Sequence, residues 1–423
     1  MEDKTEIINL HLVVFSFGHY AEYSLELRVE EEERGLFHLL KLRDSNNTLI
    51  FITSRPIDVV ILAYYLKQIP DLPNGYESRL IRYTPAPKED VASLMLNAAA
   101  DDLLVATLKE KYISQAQKTF FHCYQFETQA KVLCEKLGIE EGRKIWTDDK
   151  VSGRLAFKEA GLPLPLGTPL LHSHEDLLYH IKLLDPNEDH AKWFLKANES
   201  YGNLGNAAWS ILEKSIPRNV LEFKTGFIAE EWLDAPYKNS PCFRFVISDE
   251  SIEFMGAAEE LFSEIGAYKG AESGNETYFE EAKEYGVKIG KWLQEYGCRG
   301  AFALGFCAIS KDNIKWDLYP VDLNVREGGE SWPHAWTKGL FGSKKISKKF
   351  RFLKKLKKPA FYQSPAQLME QLQDLGTAFD FAKGEGVILS QLCSKDCYYL
   401  TIYADTMERV NELFIITQKG IIL

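Results

Sequence analysis

Two rhythms of apolar and polar positions share the first third of the chain. Leu12-Val-Val-Phe-Ser-Phe17 and Thr48-Leu-Ile-Phe-Ile-Thr53 are short, nearly continuous apolar runs and predict strands. Between them Glu30 to Leu40 predicts a helix, Pro56 opens another over Ile57 to Gln68, and Glu77 to Tyr83 leads back toward the sheet. From Ala92 to Leu137 apolar residues recur at helical intervals through Leu103, Leu104, Leu108, Tyr112 and Ile113, which predicts helix throughout. Strands alternating with helices are the signature of an α/β layer, here a Rossmann-like domain over residues 1–145. The charge run Glu30 to Glu33 reads as a solvated helix face.

The pattern changes at Lys150. Val151 to Ala160 is a short helix closed by Gly161, and the paired prolines of Leu162-Pro-Leu-Pro-Leu-Gly167 hold the next stretch extended. A helix over Glu175 to Leu184 follows, opened by the polar stretch around His172 and His174. Strands are predicted at Ala191 to Ala197, Phe227 to Glu231, Phe243 to Ser248, Ala301 to Ile309 and Trp316 to Val325, with a helix from Tyr278 to Tyr296. The tail carries a helix (Pro365 to Leu375), two strands (Gly386 to Leu392, Tyr398 to Tyr403) and a helix (Met407 to Ile415), enough for a small α+β subdomain. The expected domains are therefore 1–145, 146–345 and 346–423.

Composition narrows the function classes. Of 423 residues, 45% are hydrophobic and 26% charged, which fits a folded globular chain and excludes a low-complexity one. Against 61 Asp and Glu stand 50 Lys and Arg, a net charge of −11 that disfavours broad binding to nucleic acid or anionic membrane. The acidic start and the lack of an apolar run near the ~18 residues needed to cross a bilayer give a cytoplasmic expectation, with no membrane partner. The seven cysteines, scattered and without CxxC spacing, are expected to be reduced and mostly buried thiols.

Three segments hold candidate chemistry. Lys196-Ala-Asn-Glu-Ser-Tyr-Gly-Asn-Leu-Gly-Asn206 sets a strand-ending lysine before a loop with Gly202 and Gly205; such a loop can cover a phosphate, and a plain hairpin has the same sequence texture. In Tyr319-Pro-Val-Asp-Leu-Asn-Val-Arg326, strand alternation puts Asp322, Asn324 and Arg326 on one face and Val321, Leu323 and Val325 on the other. A carboxylate and an amide oxygen two positions apart can share a hard cation such as Mg²⁺, with phosphates completing its shell, and the arginine suits phosphoryl charge. Glu230 and Glu231 end a strand where they can meet an adenine amine or ribose hydroxyl.

Taken in chain order, Asp149-Lys150, Lys196 with its glycine loop, Glu230-Glu231 and Asp322-x-Asn324-x-Arg326 resemble the nucleotide site of an ATP-grasp enzyme, over most of the chain. More narrowly, Thr53-Ser-Arg-Pro-Ile57, Tyr64-Tyr65-Leu66, Asp149-Lys-Val-Ser-Gly-Arg-Leu-Ala-Phe157, Gly328-Gly329 before Pro333, and Gly386-Val-Ile-Leu389 resemble the pheganomycin-type peptide ligases. The resemblance implies a Rossmann-like pre-ATP-grasp domain, an ATP-grasp core of two α+β lobes and a small C-terminal α+β subdomain. It implies ATP and Mg²⁺, small carboxylate and amine substrates (amino acids or peptides), and amide formation through an acyl phosphate. Oligomeric state is left open, a homo-oligomer included. By the family pattern Lys150 and Lys196 hold the α- and β-phosphates, and the loop with Ser200, Gly202, Gly205 and Asn206 closes over them. Glu230, Glu231, Trp232 and Leu233 hold adenine and ribose, Asp322 and Asn324 the metal, while Arg326 and, less strongly, Arg244 meet phosphoryl charge or the acid.

One departure stands out. The family carries a further metal-binding acid on the preceding strand, and the matching position in Ala303-Leu-Gly-Phe306 is Gly305; Asp317, Glu259 and Glu260 are the candidate substitutes. Asp317 would face the wrong way in an unbroken strand unless Pro320 alters the parity. A non-catalytic, nucleotide-binding scaffold is accordingly the alternative to a ligase. The Lys-rich stretch from Lys338 to Lys358 is read as a solvated linker or helix; the competing reading is a nucleic-acid or partner-binding module.

Overall fold

The structure is a computed structural model and describes residues 7–14, 32–86, 93–124, 126–140, 143–187, 189–200, 205–263, 268–274, 276–329, 331–341, 348–359, 362, 364–392 and 396–422. The chain divides into two compact units, Trp146–Gly328 and a second made of Met1–Ile145 with Gly329–Leu423. The tail, expected as a separate subdomain, thus belongs to the same unit as the N-terminal layer.

In that composite unit, β1 (Ile7–Val14), β2 (Asn47–Ile52), β3 (Leu80–Tyr83) and β4 (Ala116–Cys123) form a parallel sheet in the order β3-β2-β1-β4. Leu10, Leu12, Ile50, Ile52 and Phe121 of this sheet pack with Met95, Leu108 and Leu133 from the helices into one core. The helix Val59–Lys67 starts where the Asp58 carboxylate accepts the Val60 and Ile61 N–H groups. The expectation of unbroken helix from Ala92 to Leu137 is corrected: helices Leu94–Ala100, Asp102–Lys111 and Thr128–Leu137 flank strand β4. That strand lies at the sheet edge, so Gln117 and Lys118 remain exposed and blur its apolar signal.

The Trp146–Gly328 unit holds two lobes. The first is an antiparallel sheet β6-β5-β7, from β5 (Lys192–Ala197), β6 (Asn206–Ser210) and β7 (Phe227–Glu231), with the helix His174–Leu184 packed around Trp193, Trp209 and Phe227. The second contains β8 (Tyr237–Asn239), β9 (Pro241–Ile247), β10 (Ile252–Phe262), β11 (Tyr268–Glu272), β12 (Gly300–Ser310) and β13 (Trp316–Asn324). Its path runs β13-β12-β9-β10-β11, with β8 paired to β12. The helices Lys150–Glu159 and Phe279–Tyr296 complete its core, around Phe157, Phe243, Phe245, Phe302 and Phe306.

Where it is described, the lysine-rich segment is helix as far as Phe341 and strand from Lys349, not a linker or a helix throughout. Ser331–Phe341 is a helix and Lys349–Lys357 is β14, antiparallel to β16 (Cys397–Ala404), which also pairs with β15 (Gly386–Ser390). Phe350 and Phe352 are the buried side of β14; Lys344 and Lys345 lie outside the described residues. The glutamate run is corrected too. Glu32 and Glu33 are buried: Glu32 accepts from Ser54, and Glu33 from the Tyr65 hydroxyl at 2.5 Å and the Leu392 N–H at 2.9 Å. Glu30 and Glu31 lie outside the described residues.

Among the described residues Cys134, Cys242 and Cys298 are buried, and no helix is long and apolar enough to cross a membrane.

Candidate active site

Lys150 opens the helix Lys150–Glu159, whose first turn is fixed by Asp149: its carboxylate accepts the Ser152 N–H at 2.8 Å and the Ser152 hydroxyl at 2.6 Å. The Lys150 backbone N–H donates to the Asn198 carbonyl at 3.0 Å, tying the helix start to the end of β5. Its ammonium is thereby aimed at β13, where it lies 2.5 Å from Asp322 Oδ1. Burial would raise the Asp322 carboxyl, but the Lys150 ammonium and the Asn324 amide overcome it and hold it down, to about 2. For Lys150, burial pulls the other way, and Asp322 and Asp148 outweigh it, so its pKa is raised.

The three polar residues of β13 do share a face. Asn324 Nδ2 donates to Asp322 Oδ2 at 2.6 Å, Arg326 Nη2 donates to Asn324 Oδ1 at 2.5 Å, and Arg326 Nε pairs with Asp148 at 2.7 Å. Leu323 and Val325 pack into the core as expected. Val321 does not: the register between β12 and β13 shifts, with Gly305 opposite Asp322 but Phe306 opposite Pro320, so Val321 is the extra residue of a bulge. Its carbonyl accepts from Lys196 Nζ at 2.9 Å. The bulge also resets the strand's parity, leaving Asp317 exposed while its neighbours Trp316 and Leu318 are buried.

Lys196, 5% exposed at the end of β5, pairs with Glu230 Oε2 at 2.5 Å. Arg154, one helical turn beyond Lys150, takes the other oxygen of Glu230 at 2.7 Å and donates to the Pro165 carbonyl at 2.5 Å. Lys150, Arg154, Glu230, Val321 and Asp322 line one narrow recess. Arg244 on β9 is buried and pairs with Glu327. Arg154 and Asp148 were not singled out from the sequence. Their signals were there: Arg154 shares a helix face with Lys150 at i,i+4, and Asp148 precedes the Asp149-Lys150 pair.

Strands β5 and β6 are antiparallel, with Lys196 opposite Asn206, and residues 201–204 between them lie outside the described residues. Gly205 has φ +77, and a Cβ there would meet Ala197 Cβ and a Phe223 ring carbon at 2.7 Å, so only glycine fits. The Ser200 hydroxyl donates to the Ala197 carbonyl at 3.1 Å; Gly202 lies outside the described residues. Glu231 donates its N–H to the Leu166 carbonyl at 2.9 Å, Trp232 its N–H to the Lys192 carbonyl at 3.2 Å, and Leu233 follows in the same connection. The Trp232 ring faces Lys238 Nζ at 4.5 Å.

A Cβ built on Gly305 would lie 3.3 Å from Asp322 Cβ, so a side chain at 305 would stand beside the candidate metal ligand. Among the described residues no group of three or more His, Cys, Asp or Glu is arranged to hold a metal. The donor set offered is one carboxylate, Asp322, and one amide oxygen, Asn324. That fits Mg²⁺ held mainly by phosphates, which needs only one or two protein ligands.

No protein-family profile matches the sequence, and no curated protein does. Solved structures do match over nearly the whole chain. Biotin carboxylase from Campylobacter jejuni, in an ATP complex, aligns at TM-score 0.60 and 13% identity, over 100% of this chain and 92% of that one. The ADP complex of purK, an N5-carboxyaminoimidazole ribonucleotide synthetase, aligns at 0.58 and 12%, over 98% of both chains. An L-amino acid ligase from Bacillus licheniformis aligns at 0.55 and 11%, over 99% and 98%.

Proposed function

We propose, for a chain that has the ATP-grasp fold, that it is an ATP-dependent carboxylate–amine ligase. The observation that carries this reading is the convergence of Lys150 and Lys196, from a helix start and a strand end, on carboxylates lining one recess. Both lysines are point charges held where phosphates would replace their carboxylate partners. In this reading Lys150 and Lys196 bind the α- and β-phosphates, and the loop with Ser200, Gly202, Gly205 and Asn206 covers them. Glu230, Glu231, Trp232 and Leu233 serve adenine and ribose. Asp322 and Asn324 would hold Mg²⁺, which when bound neutralises phosphate charge.

A substrate carboxylate attacks the γ-phosphorus, the bond to the β–γ bridging oxygen breaks, and ADP leaves. Arg326, with Arg244 nearby on the same unit, stabilises the charge on the transferring phosphoryl group. An amine then attacks the acyl carbon and expels phosphate, forming the amide. Phosphoryl transfer asks of a protein mainly positioning and charge neutralisation, which these residues supply. We read the substrates as amino acids or peptides, in the manner of a peptide ligase acting in the cytoplasm.

The test is ADP release with MgATP and a panel of amino acids, with hydroxylamine added to trap acyl phosphate as the hydroxamate. Acid-dependent ADP and hydroxamate are expected; ADP release indifferent to every acid would overturn the reading. Gly305, where a second acid would flank Asp322, favours one other reading, a nucleotide-binding scaffold without turnover. That scaffold would bind MgATP and release no ADP with any acid.

A further inference from the structure

Near the end of β7 one buried carboxylate is shared by two cations. Glu230 is 5% exposed; Lys196 Nζ lies 2.5 Å from its Oε2 and Arg154 Nη1 2.7 Å from its Oε1. A buried carboxylate that loses its partner is strongly destabilising, so whatever draws Lys196 away from Glu230 must leave another cation in place. Arg154 is held to do this. Its other terminal nitrogen, Nη2, donates to the Pro165 carbonyl at 2.5 Å, which fixes the planar fork on a backbone group as well as on the carboxylate.

Gly167 makes room for the guanidinium. It pairs with Glu230 in an antiparallel bridge, and a Cβ at Gly167 would lie 2.5 Å from Arg154 Cζ and 2.6 Å from Nη2. The connection carrying Gly167 is tied to β7 on both sides, by the Glu231 N–H on the Leu166 carbonyl and the Thr168 N–H on the Ala229 carbonyl, each at 2.9 Å. Glycine, carboxylate and guanidinium are therefore held in register. Lys196 is held differently: its ammonium donates to the Val321 carbonyl at 2.9 Å besides meeting Glu230, and it is a compact point charge on a flexible stem. Turning that ammonium to a phosphate leaves Oε2 of Glu230 to accept from the nucleotide, while Oε1 stays on Arg154.

We propose that Arg154 is a positioning residue for nucleotide binding: by keeping Oε1 of Glu230 paired, it lets Lys196 be released from Oε2 to a phosphate group. The proposal rests on the nucleotide reading above and adds a residue that acts through Glu230. The experiment is calorimetric titration of MgATP into the full chain and its variants, each checked for a cooperative melt. Arg154→Met should weaken MgATP by roughly tenfold or more, the scale of one charge-assisted contact, because Glu230 then retains Lys196. Arg154→Lys, which keeps a cation beside Oε1, should recover most of that loss. Gly167→Ala pushes the guanidinium aside without removing its charge and should weaken MgATP too. The deciding variant combines Arg154→Met with Glu230→Gln: with no carboxylate to hold Lys196, it should bind MgATP more tightly than Arg154→Met alone. An arginine that merely supports the fold predicts a double variant no tighter than the single one. That result, or wild-type affinity in folded Arg154→Met, would overturn the proposal. Should Arg154→Met not fold, Gly167→Ala, alone and with Glu230→Gln, supplies both comparisons. Wild type that binds no MgATP would overturn the nucleotide reading and the proposal with it, whereas wild type that binds, with variants that do not differ, overturns the proposal alone.

Discussion

The Lys150 ammonium lies 2.5 Å from Asp322 Oδ1, joining the residue expected to hold phosphate to the residue expected to hold the metal. The side chains are 16% and 38% exposed, so the pair is neither fully buried nor free in water. In the structure each neutralises the other; in the proposed complex, phosphate and metal would take their places. The site is therefore held in shape by the same charges that would bind the ligand, and its variants can separate folding from binding.

Removing the acid tests this first. Asp322→Ala should remove the Mg²⁺ dependence of ATP binding and cut acid-dependent ADP release by a factor of about 10²–10³, the scale of losing an electrostatic contact made in the transition state. Far-ultraviolet circular dichroism should stay unchanged. Wild-type metal dependence in a folded variant would remove Asp322 from the metal site.

Gly305→Asp should create a second carboxylate 3.3 Å, Cβ to Cβ, from Asp322, a spacing at which the neighbour must give slightly. Two adjacent carboxylates repel without a cation. The variant should melt below wild type in chelator and bind Mn²⁺ more tightly, both readable by calorimetry. Unchanged Mn²⁺ affinity would mean that residue 305 does not face the cation.

The composite unit carries a pH response of its own. His11 Nδ1 lies 3.0 Å from His122 Nε2, and the His38 ring centroid 4.7 Å from that of His122. Burial, reinforced by Lys41, lowers His11 to about 4 and holds His38 and His122 well below their ordinary value of 6.5. The unfolded chain therefore takes up protons that the folded unit refuses. Stability is full above about pH 6.5 and falls as pH drops toward 4, by up to ~1.4 kcal/mol per pH unit for each proton. The melting temperature should fall between pH 7 and 5, less steeply in His122→Phe; a flat wild-type profile would contradict the neutral cluster.

The basic strand β14 should not make this a nucleic-acid binder. Arg351 faces the Phe414 ring at 5.4 Å, Lys354 the Tyr399 ring at 5.8 Å and Lys358 the Tyr362 ring at 3.9 Å, so these cations already lie against the protein's own aromatics. No mobility shift of an oligonucleotide is expected at physiological ionic strength. A shift that weakens steeply with added salt would show the opposite.

Where the sequence was legible, one physical rule governed the segment. The polar face of β13 follows from strand alternation, and Gly161 marks the end of the helix that Lys150 opens. β10 was missed because Gly256 and the pair Glu259-Glu260 break its apolar rhythm, and β14 because its lysines mask two buried phenylalanines. Glu33 looked solvated because charge patterning cannot reveal that a tyrosine hydroxyl and a backbone N–H more than 350 residues away will satisfy it. The bulge at Val321 was anticipated only as an effect of Pro320, since register depends on the partner strand.

The central claim is that Lys150, Lys196 and Asp322 form a nucleotide site, and calorimetric titration of ATP, with and without Mg²⁺, into wild type and Lys196→Ala tests it most directly. Loss of one charge-assisted contact is worth about 1.5–3 kcal/mol, roughly a 10- to 100-fold change in affinity. Mg²⁺-dependent binding in wild type, weakened by that factor in Lys196→Ala, is the predicted result. Folded wild-type protein that binds no ATP, or a variant that binds it as tightly as wild type, would contradict the account.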